Sequence, residues 1–103
     1  METNAYAELK ARRDAARSEH RILRTAESSL KSAHSTLKSA PGEHSEFLAN
    51  LWSMTDNIIA ARTAAQEVKE ALEAQVGAAR AAYRQEKLDQ AYRLEAAQYV
   101  PVP

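Results

Sequence analysis

The strongest constraint on the fold is one break, Pro41-Gly42, between two long stretches that otherwise have a helical pattern. Proline disfavours helix at the residue before it and lacks a backbone N–H, while glycine takes the left-handed conformation that ends helices. Ser45 offers a side-chain cap for a new helix. A short connection between long helices is typical of an antiparallel αα-hairpin. The sequence therefore predicts a helix over about 4–40, a hinge at 41–44 and a second helix over about 45–98.

Apolar residues recur every seven positions in the first stretch. One line consists of Leu9, Ala16, Leu23, Leu30 and Leu37, and a second line, three residues further on, consists of Ala26, Ala33 and Ala40. Two apolar lines with a seven-residue period are the pattern of a coiled coil. Alanine on the second line would allow the facing backbone to come close.

The second stretch continues the same alternation, with Phe47, Leu51, Met54, Ile58, Ala61, Ala65, Val68 and Leu72. Pairing across the hinge predicts that facing residues have numbers adding to about 84, so that Leu37 meets Phe47 and Leu30 meets Met54. Residues 1–40 carry eight basic and five acidic groups and residues 43–77 carry two and six, which favours this pairing. The predicted fold is all-α: a long, coiled-coil-like antiparallel hairpin in one domain over 1–98, followed by an extended tail at 99–103.

The hinge is off-centre, so the second helix outlasts the first. Stretches of about 37 and about 53 residues would span roughly 55 Å and 80 Å at 1.5 Å per residue. Residues beyond about 80 then have no partner in the first helix. Either the chain bends near Gly77 and folds back as a three-helix bundle, or it continues straight and associates with another molecule. One glycine without proline or polar loop residues is a poor turn, which favours the straight form.

Aromatic and apolar residues without a partner inside the chain are candidates for a contact surface. The candidate partner-binding residues are Trp52, Tyr83, Leu88, Tyr92, Leu94 and Tyr99. Trp52 has two interpretations, because a bulky residue near a turn either closes the hairpin end or marks an exposed contact.

Basic residues follow i+3 and i+4 steps along the first stretch, at Lys10, Arg13, Arg17, Arg21 and Arg24. This basic stripe could track phosphates or bind an acidic partner. The other interpretation, the salt-bridged flank of a coiled coil, is favoured by the acidic second stretch.

Motifs for chemistry are missing from the sequence. The chain has no cysteine, its three histidines lack ligand-type neighbours at i±3 or i±4, and its two glycines cannot build a phosphate-binding loop. We therefore expect no enzyme activity, no metal or other cofactor and no small-molecule substrate. No apolar run approaches the length of a membrane span, and no segment resembles a signal peptide, so the expected location is cytoplasmic without a membrane partner.

The sequence predicts a non-enzymatic protein–protein interaction module, a helical adaptor or inhibitor of cellular or viral origin. It would act by docking helices against a protein partner, itself included, with a homodimer expected. The alternative is a small nucleic-acid-binding regulator that uses the basic stripe.

Overall fold

The computed structural model describes residues 4–98, which form two α-helices joined by a short turn. Helix α1 spans Asn4–Ser39 and helix α2 spans Ser45–Gln98. The two helices pack against each other in an antiparallel hairpin, and the molecule is a rod with extents of 97 × 20 × 16 Å. The predicted all-α hairpin is confirmed, and the described residues contain no strand. The predicted tail at 99–103 lies outside the described residues.

The turn has the conformation that its sequence predicts. Gly42 has a φ of 102°, in the left-handed region where a side chain would be strained. The imidazole Nε2 of His44 lies 3.0 Å from the carbonyl oxygen of Pro41, which ties the turn together. The backbone N–H of Leu48 donates to the carbonyl of His44 at 2.8 Å, so α2 begins immediately after the turn.

One apolar line of each helix lies where the sequence places it, between α1 and α2. We use coiled-coil heptad letters and call this line position d. Its members are all buried or half-buried: Leu9, Ala16, Leu23, Leu30 and Leu37 on α1, and Leu51, Ile58, Ala65, Leu72 and Ala79 on α2. The hydrophobic part of the interface therefore rests on one line per helix, and three of its ten members are alanine.

The second predicted line is wrong on both helices. Phe47, Met54, Ala61 and Val68 are exposed, Ala33 is exposed, and Ala26 and Ala40 are only half-buried at position g. The line that joins d in the interface is position a, on the other side of d. It consists of Arg13, His20, Glu27 and His34 on α1 and of Leu48, Thr55, Arg62, Lys69 and Val76 on α2.

Position a is mostly polar, which is why hydrophobic periodicity misses it. The hydroxyl of the buried Thr55 donates to its own helix, to the carbonyl of Leu51 at 2.7 Å, so it needs no partner on α1. Arginine and lysine can lay their aliphatic stems on an apolar surface while the charged group reaches water. A hairpin interface therefore accepts Arg13, Arg62 and Lys69 at positions where a periodicity search expects apolar residues.

The predicted register is also displaced. Contacts between the helices join Tyr6 to Arg80, Arg17 to Glu73, Glu27 to Arg62 and His34 to Trp52. The numbers of these facing residues add to between 86 and 90, not to about 84, so the helices are shifted by about one turn. The predicted pairs Leu37–Phe47 and Leu30–Met54 do not form the interface, because Phe47 and Met54 are exposed.

Helix α2 runs without interruption through Gly77, and the described residues beyond it do not fold back into a third helix. Gly77 is exposed, and a Cβ added there would meet no atom within 4 Å. The chain takes the straight form, which leaves the C-terminal part of α2 beyond the reach of α1.

We predict that Leu72→Ala lowers the free energy of unfolding by about 2–4 kcal/mol, because Leu72 is a buried d residue with only 6% of its surface exposed. Val68→Ala should change it by less than about 0.5 kcal/mol, since Val68 is 53% exposed on the lone chain. Urea unfolding followed by circular dichroism at low protein concentration would measure both. Equal losses in the two variants would contradict the assignment of a and d.

We predict opposite effects of alanine at the two glycines. Gly77→Ala should stabilise the hairpin by up to about 1 kcal/mol, because alanine favours helix and the added methyl group has open space. Gly42→Ala should destabilise it by about 1 kcal/mol or more, because φ is 102° there. Thermal unfolding of both variants checks this, and stabilisation by Gly42→Ala would show that the turn has another conformation.

Candidate partner-binding surface

The centre of the hairpin is held by an ion pair inside the interface. The Nε of Arg62 donates to Glu27 Oε1 at 2.6 Å, and Lys31 Nζ lies 3.2 Å from Glu27 Oε2. Hydrogen bonds from Arg62 and then Lys31 hold the pKa of the Glu27 carboxyl below its ordinary value. The Glu27 side chain is 15% exposed, so this pair is the best shielded ionic contact between the helices. It fixes the register that positions every exposed surface described below.

His20 occupies position a among positive charges. It is buried, and burial lowers the pKa of its imidazole, helped by the nearby cations Lys69, Arg24 and Arg62 and opposed by Glu70. The neutral imidazole is therefore the form that fits this part of the interface.

Trp52 both closes the hairpin end and stays partly exposed, so each of its two interpretations from the sequence holds in part. Its ring lies 4.2 Å from the ring of His34, centroid to centroid, with an interplanar angle of 60°. The contact closes the hairpin near the turn, yet about half of the Trp52 side chain stays exposed. The Nε2 of His34 is buried and has no hydrogen-bond partner among the described residues.

Two members of the basic stripe are used by the hairpin itself. Arg13 lies at position a with 16% of its side chain exposed, and it bonds the neighbouring Asp14 at 3.1 Å. Arg17 reaches across to α2, where its Nη2 lies 3.4 Å from Glu73 Oε2. Arg17 therefore forms an ion pair between the helices, whereas Arg13 lies in the interface and pairs with its neighbour on α1.

The other members of the stripe are spread along α1. Lys10 is half-buried, with its ammonium 5.0 Å from the centroid of the Tyr6 ring. Arg21 and Arg24 are exposed beside a shallow open depression near His20. The structure thus does not gather the five cations on one free surface.

Helix α2 extends well beyond its packing against α1. We call residues 80–98 the overhang, and every one of them is exposed. Its first residue still contacts α1, since Arg80 Nε donates to the hydroxyl of Tyr6 at 3.3 Å. Tyr83 lies just beyond that point and has the Lys87 ammonium 5.1 Å from its ring centroid.

Of the predicted partner-binding residues, four lie on the overhang: Tyr83, Leu88, Tyr92 and Leu94, which are 37%, 51%, 66% and 68% exposed. They do not share one side of the helix. Leu88 and Tyr92 are four residues apart and so neighbours on one face, whereas Leu94 lies six residues from Leu88 and two from Tyr92, on another face. Tyr99 lies outside the described residues.

A further exposed surface combines the overhang with residues that the sequence assigned to the interior. Positions c, f and g of α2 point away from α1, and we call them together the outer face. Its exposed residues are Glu46, Phe47, Asn50, Ser53, Met54, Asn57, Ala60, Ala61, Ala64, Glu67, Val68, Ala71, Ala74, Gln75, Ala78, Ala81, Ala82, Gln85, Leu88, Asp89, Tyr92, Glu95 and Ala96. Four of these are charged, all acidic, but between Phe47 and Leu88 the only charged one is Glu67. The seven-residue period singles out Phe47, Met54 and Val68. It does not show on which side of the d line α1 packs.

No family model, no curated protein and no solved structure matches this chain. Among residues 4–98, no group of three or more histidine, aspartate or glutamate side chains is placed to hold a metal ion. In the same range, neither helix has a stretch sufficiently long and apolar for a bilayer crossing.

We predict that the free energy of unfolding falls as the pH drops from about 7.5 to about 5.5. The pKa of His20 is lower in the folded chain than its ordinary value of 6.5, so the unfolded chain binds the proton first and is favoured below that pH. His20→Gln should remove most of this slope, whereas the matched variant His44→Gln should keep it. Urea unfolding at several pH values measures the slope, and an unchanged slope in His20→Gln would contradict the environment described for His20.

Proposed function

We propose that this chain is a non-enzymatic protein–protein interaction module, a helical adaptor or inhibitor that acts by docking helices and associates with a second copy of itself. One observation carries the proposal: α2 continues for about five turns past Arg80, which hydrogen-bonds α1, and the side chains there include exposed Leu88, Tyr92 and Leu94.

The energetics of an isolated helix support a partner for the overhang. Helices of this length are marginal in water on their own, and most helical stability in proteins comes from packing of one face. All residues of the overhang are exposed, and the side chains of Leu88, Tyr92 and Leu94 there are of types that lose most from being left in water. Docking against another helix would bury them.

The hairpin supplies a rigid base for that docking. The turn, the Glu27–Arg62 pair and the d line hold α2 straight up to Ala79. A partner that meets the overhang therefore meets a helix whose direction is already set, which reduces the entropy lost on binding.

The nucleic-acid alternative has weaker support. Arg13 and Arg17 are engaged within the hairpin, and the cations that stay exposed on α1 are interspersed with acidic residues such as Glu19. If that alternative held, reversing the charges of Arg21 and Arg24 would abolish binding of a generic duplex, and binding would fall steeply with salt.

We predict that the intact chain has a solution mass of about twice 11.4 kDa at micromolar concentration and that Tyr92→Ala shifts it toward the monomer. A chain that ends at Ala79 should be a folded monomer, because it loses the Arg80–Tyr6 hydrogen bond but keeps the a and d lines and the Glu27–Arg62 pair. Light scattering after size exclusion measures the masses, and circular dichroism checks folding.

The matched control is Ile22→Ala, which removes an equally exposed apolar side chain from α1. It should leave the mass unchanged. A monomeric intact chain at all accessible concentrations would overturn self-association, and a dimer that survives truncation at Ala79 would remove the overhang from the interface.

A further inference from the structure

We infer that two copies of this chain pair antiparallel along the whole outer face of α2, so that the overhang of each copy packs on the first turns of α2 in the other. The inference rests on the proposed self-association and adds to it the surface, the direction and the register. The proposed function needs only the overhang to contact the second copy. It does not require residues 45–79 of α2 to do so.

The sizes of the side chains on the outer face favour a partner with the same sequence. Bulky residues lie at both ends, Phe47 and Met54 near the turn and Leu88 and Tyr92 on the overhang. The middle is occupied by alanines at 60, 61, 64, 71, 74, 78, 81 and 82, apart from Val68 and two polar residues. Alanine lets two helix backbones approach closely, whereas bulky residues need each other to fill the space at the ends.

The length of α2 sets the register. It spans Ser45–Gln98, so its midpoint lies close to Ala71. Two such helices in full antiparallel overlap share a contact length of about 80 Å and have a two-fold axis near Ala71. Facing residues then have numbers that add to about 142. Each overhang lies along α2 of the second copy between the turn and about residue 61. Both overhangs are therefore covered.

This register also matches polar groups on the outer face. Asn57 of one copy falls opposite Gln85 of the second copy, and Asn50 falls opposite Tyr92. Side-chain amides can donate to and accept from each other, and a tyrosine hydroxyl can do either with asparagine. Met54 falls beside Leu88, while the alanines between 60 and 64 fall beside those between 78 and 82.

Charges distinguish the antiparallel from the parallel arrangement. Residues 43–61 contain three acidic groups and no lysine or arginine, whereas the overhang contains four basic and three acidic groups. An antiparallel pair places the acidic segment against the more basic one, and a parallel pair would place the acidic segments side by side. In the antiparallel register Asp56 and Arg84 of the second copy have numbers that add to 140, so they are offset by about 3 Å along the helix axis, within reach of their side chains. Both lie at position b beside the outer face.

Asp56 and Arg84 are free for such a contact. Both are exposed, and neither has an ion pair or hydrogen bond through its side chain to any described residue. The two-fold axis would generate the Asp56–Arg84 contact twice, once at each end of the paired helices.

A charge swap in the full-length chain tests the register. Asp56→Arg and Arg84→Asp should each weaken the dimer about tenfold or more, because each places like charges opposite each other twice. The double variant should restore the dissociation constant to within about threefold of the original. Sedimentation equilibrium over a range of concentrations measures all four chains, and circular dichroism confirms that these exposed substitutions leave the hairpin folded. Single effects without rescue would overturn the register.

Two leucines of the overhang provide a matched control for the surface. Leu88→Ala removes a residue of the outer face and should weaken the dimer, whereas Leu94→Ala removes an equally exposed leucine from another face and should not. A dimer that responds to Tyr92→Ala but to neither charge change would leave the proposed function standing and overturn the antiparallel pairing. A chain that stays monomeric would overturn both.

Discussion

The ion pair between Glu27 and Arg62 is the contact on which the arrangement of the two helices depends. The apolar part of the interface is one line per helix and includes three alanines, so by itself it would tolerate sliding of one helix along the other. A charged pair at position a is satisfied in one register, and breaking a shielded pair leaves an uncompensated charge. Polar groups at core positions of coiled coils fix register in the same way, at a cost in stability.

The choice of position a for the interface decides what the molecule presents to solvent. Because the interface uses positions a and d, position g of α2 lies outside it. Phe47, Met54 and Val68 at position g are therefore exposed. The exposed bulky residues are therefore a consequence of the hairpin register and do not need a separate origin. A helix in water with exposed apolar side chains over this length is prone to unspecific association, and the proposed burial against a second copy would remove that risk.

Much of the fold could be predicted because its signals are local. Pro41-Gly42 marks the turn, the leucine spacing marks position d, and the absence of turn residues around Gly77 predicts a continuous α2. The second interface line could not be predicted, because apolar lines flank d on the g side while the interface uses polar residues such as His20, Glu27 and Thr55 on the a side. That choice depends on a pairing of charges 35 residues apart, which periodicity cannot detect. The overhang could be predicted from the off-centre position of the turn. That Leu88 and Tyr92 continue the same face as Phe47 and Met54 could not be predicted without knowing which side of α2 is covered by α1.

The distance between identical positions in two associated copies tests the central claim most directly. The chain has no cysteine, so one introduced cysteine carries one spin label per copy. Glu70 and Ala91 are exposed positions beside the outer face. Antiparallel pairing about Ala71 predicts a separation under about 20 Å between labels at 70 and, at twice 1.5 Å per residue from the axis, about 60 Å between labels at 91. Short distances at both positions would show a parallel pair, and a long distance at 70 would show that the outer face of α2 is not the dimer interface.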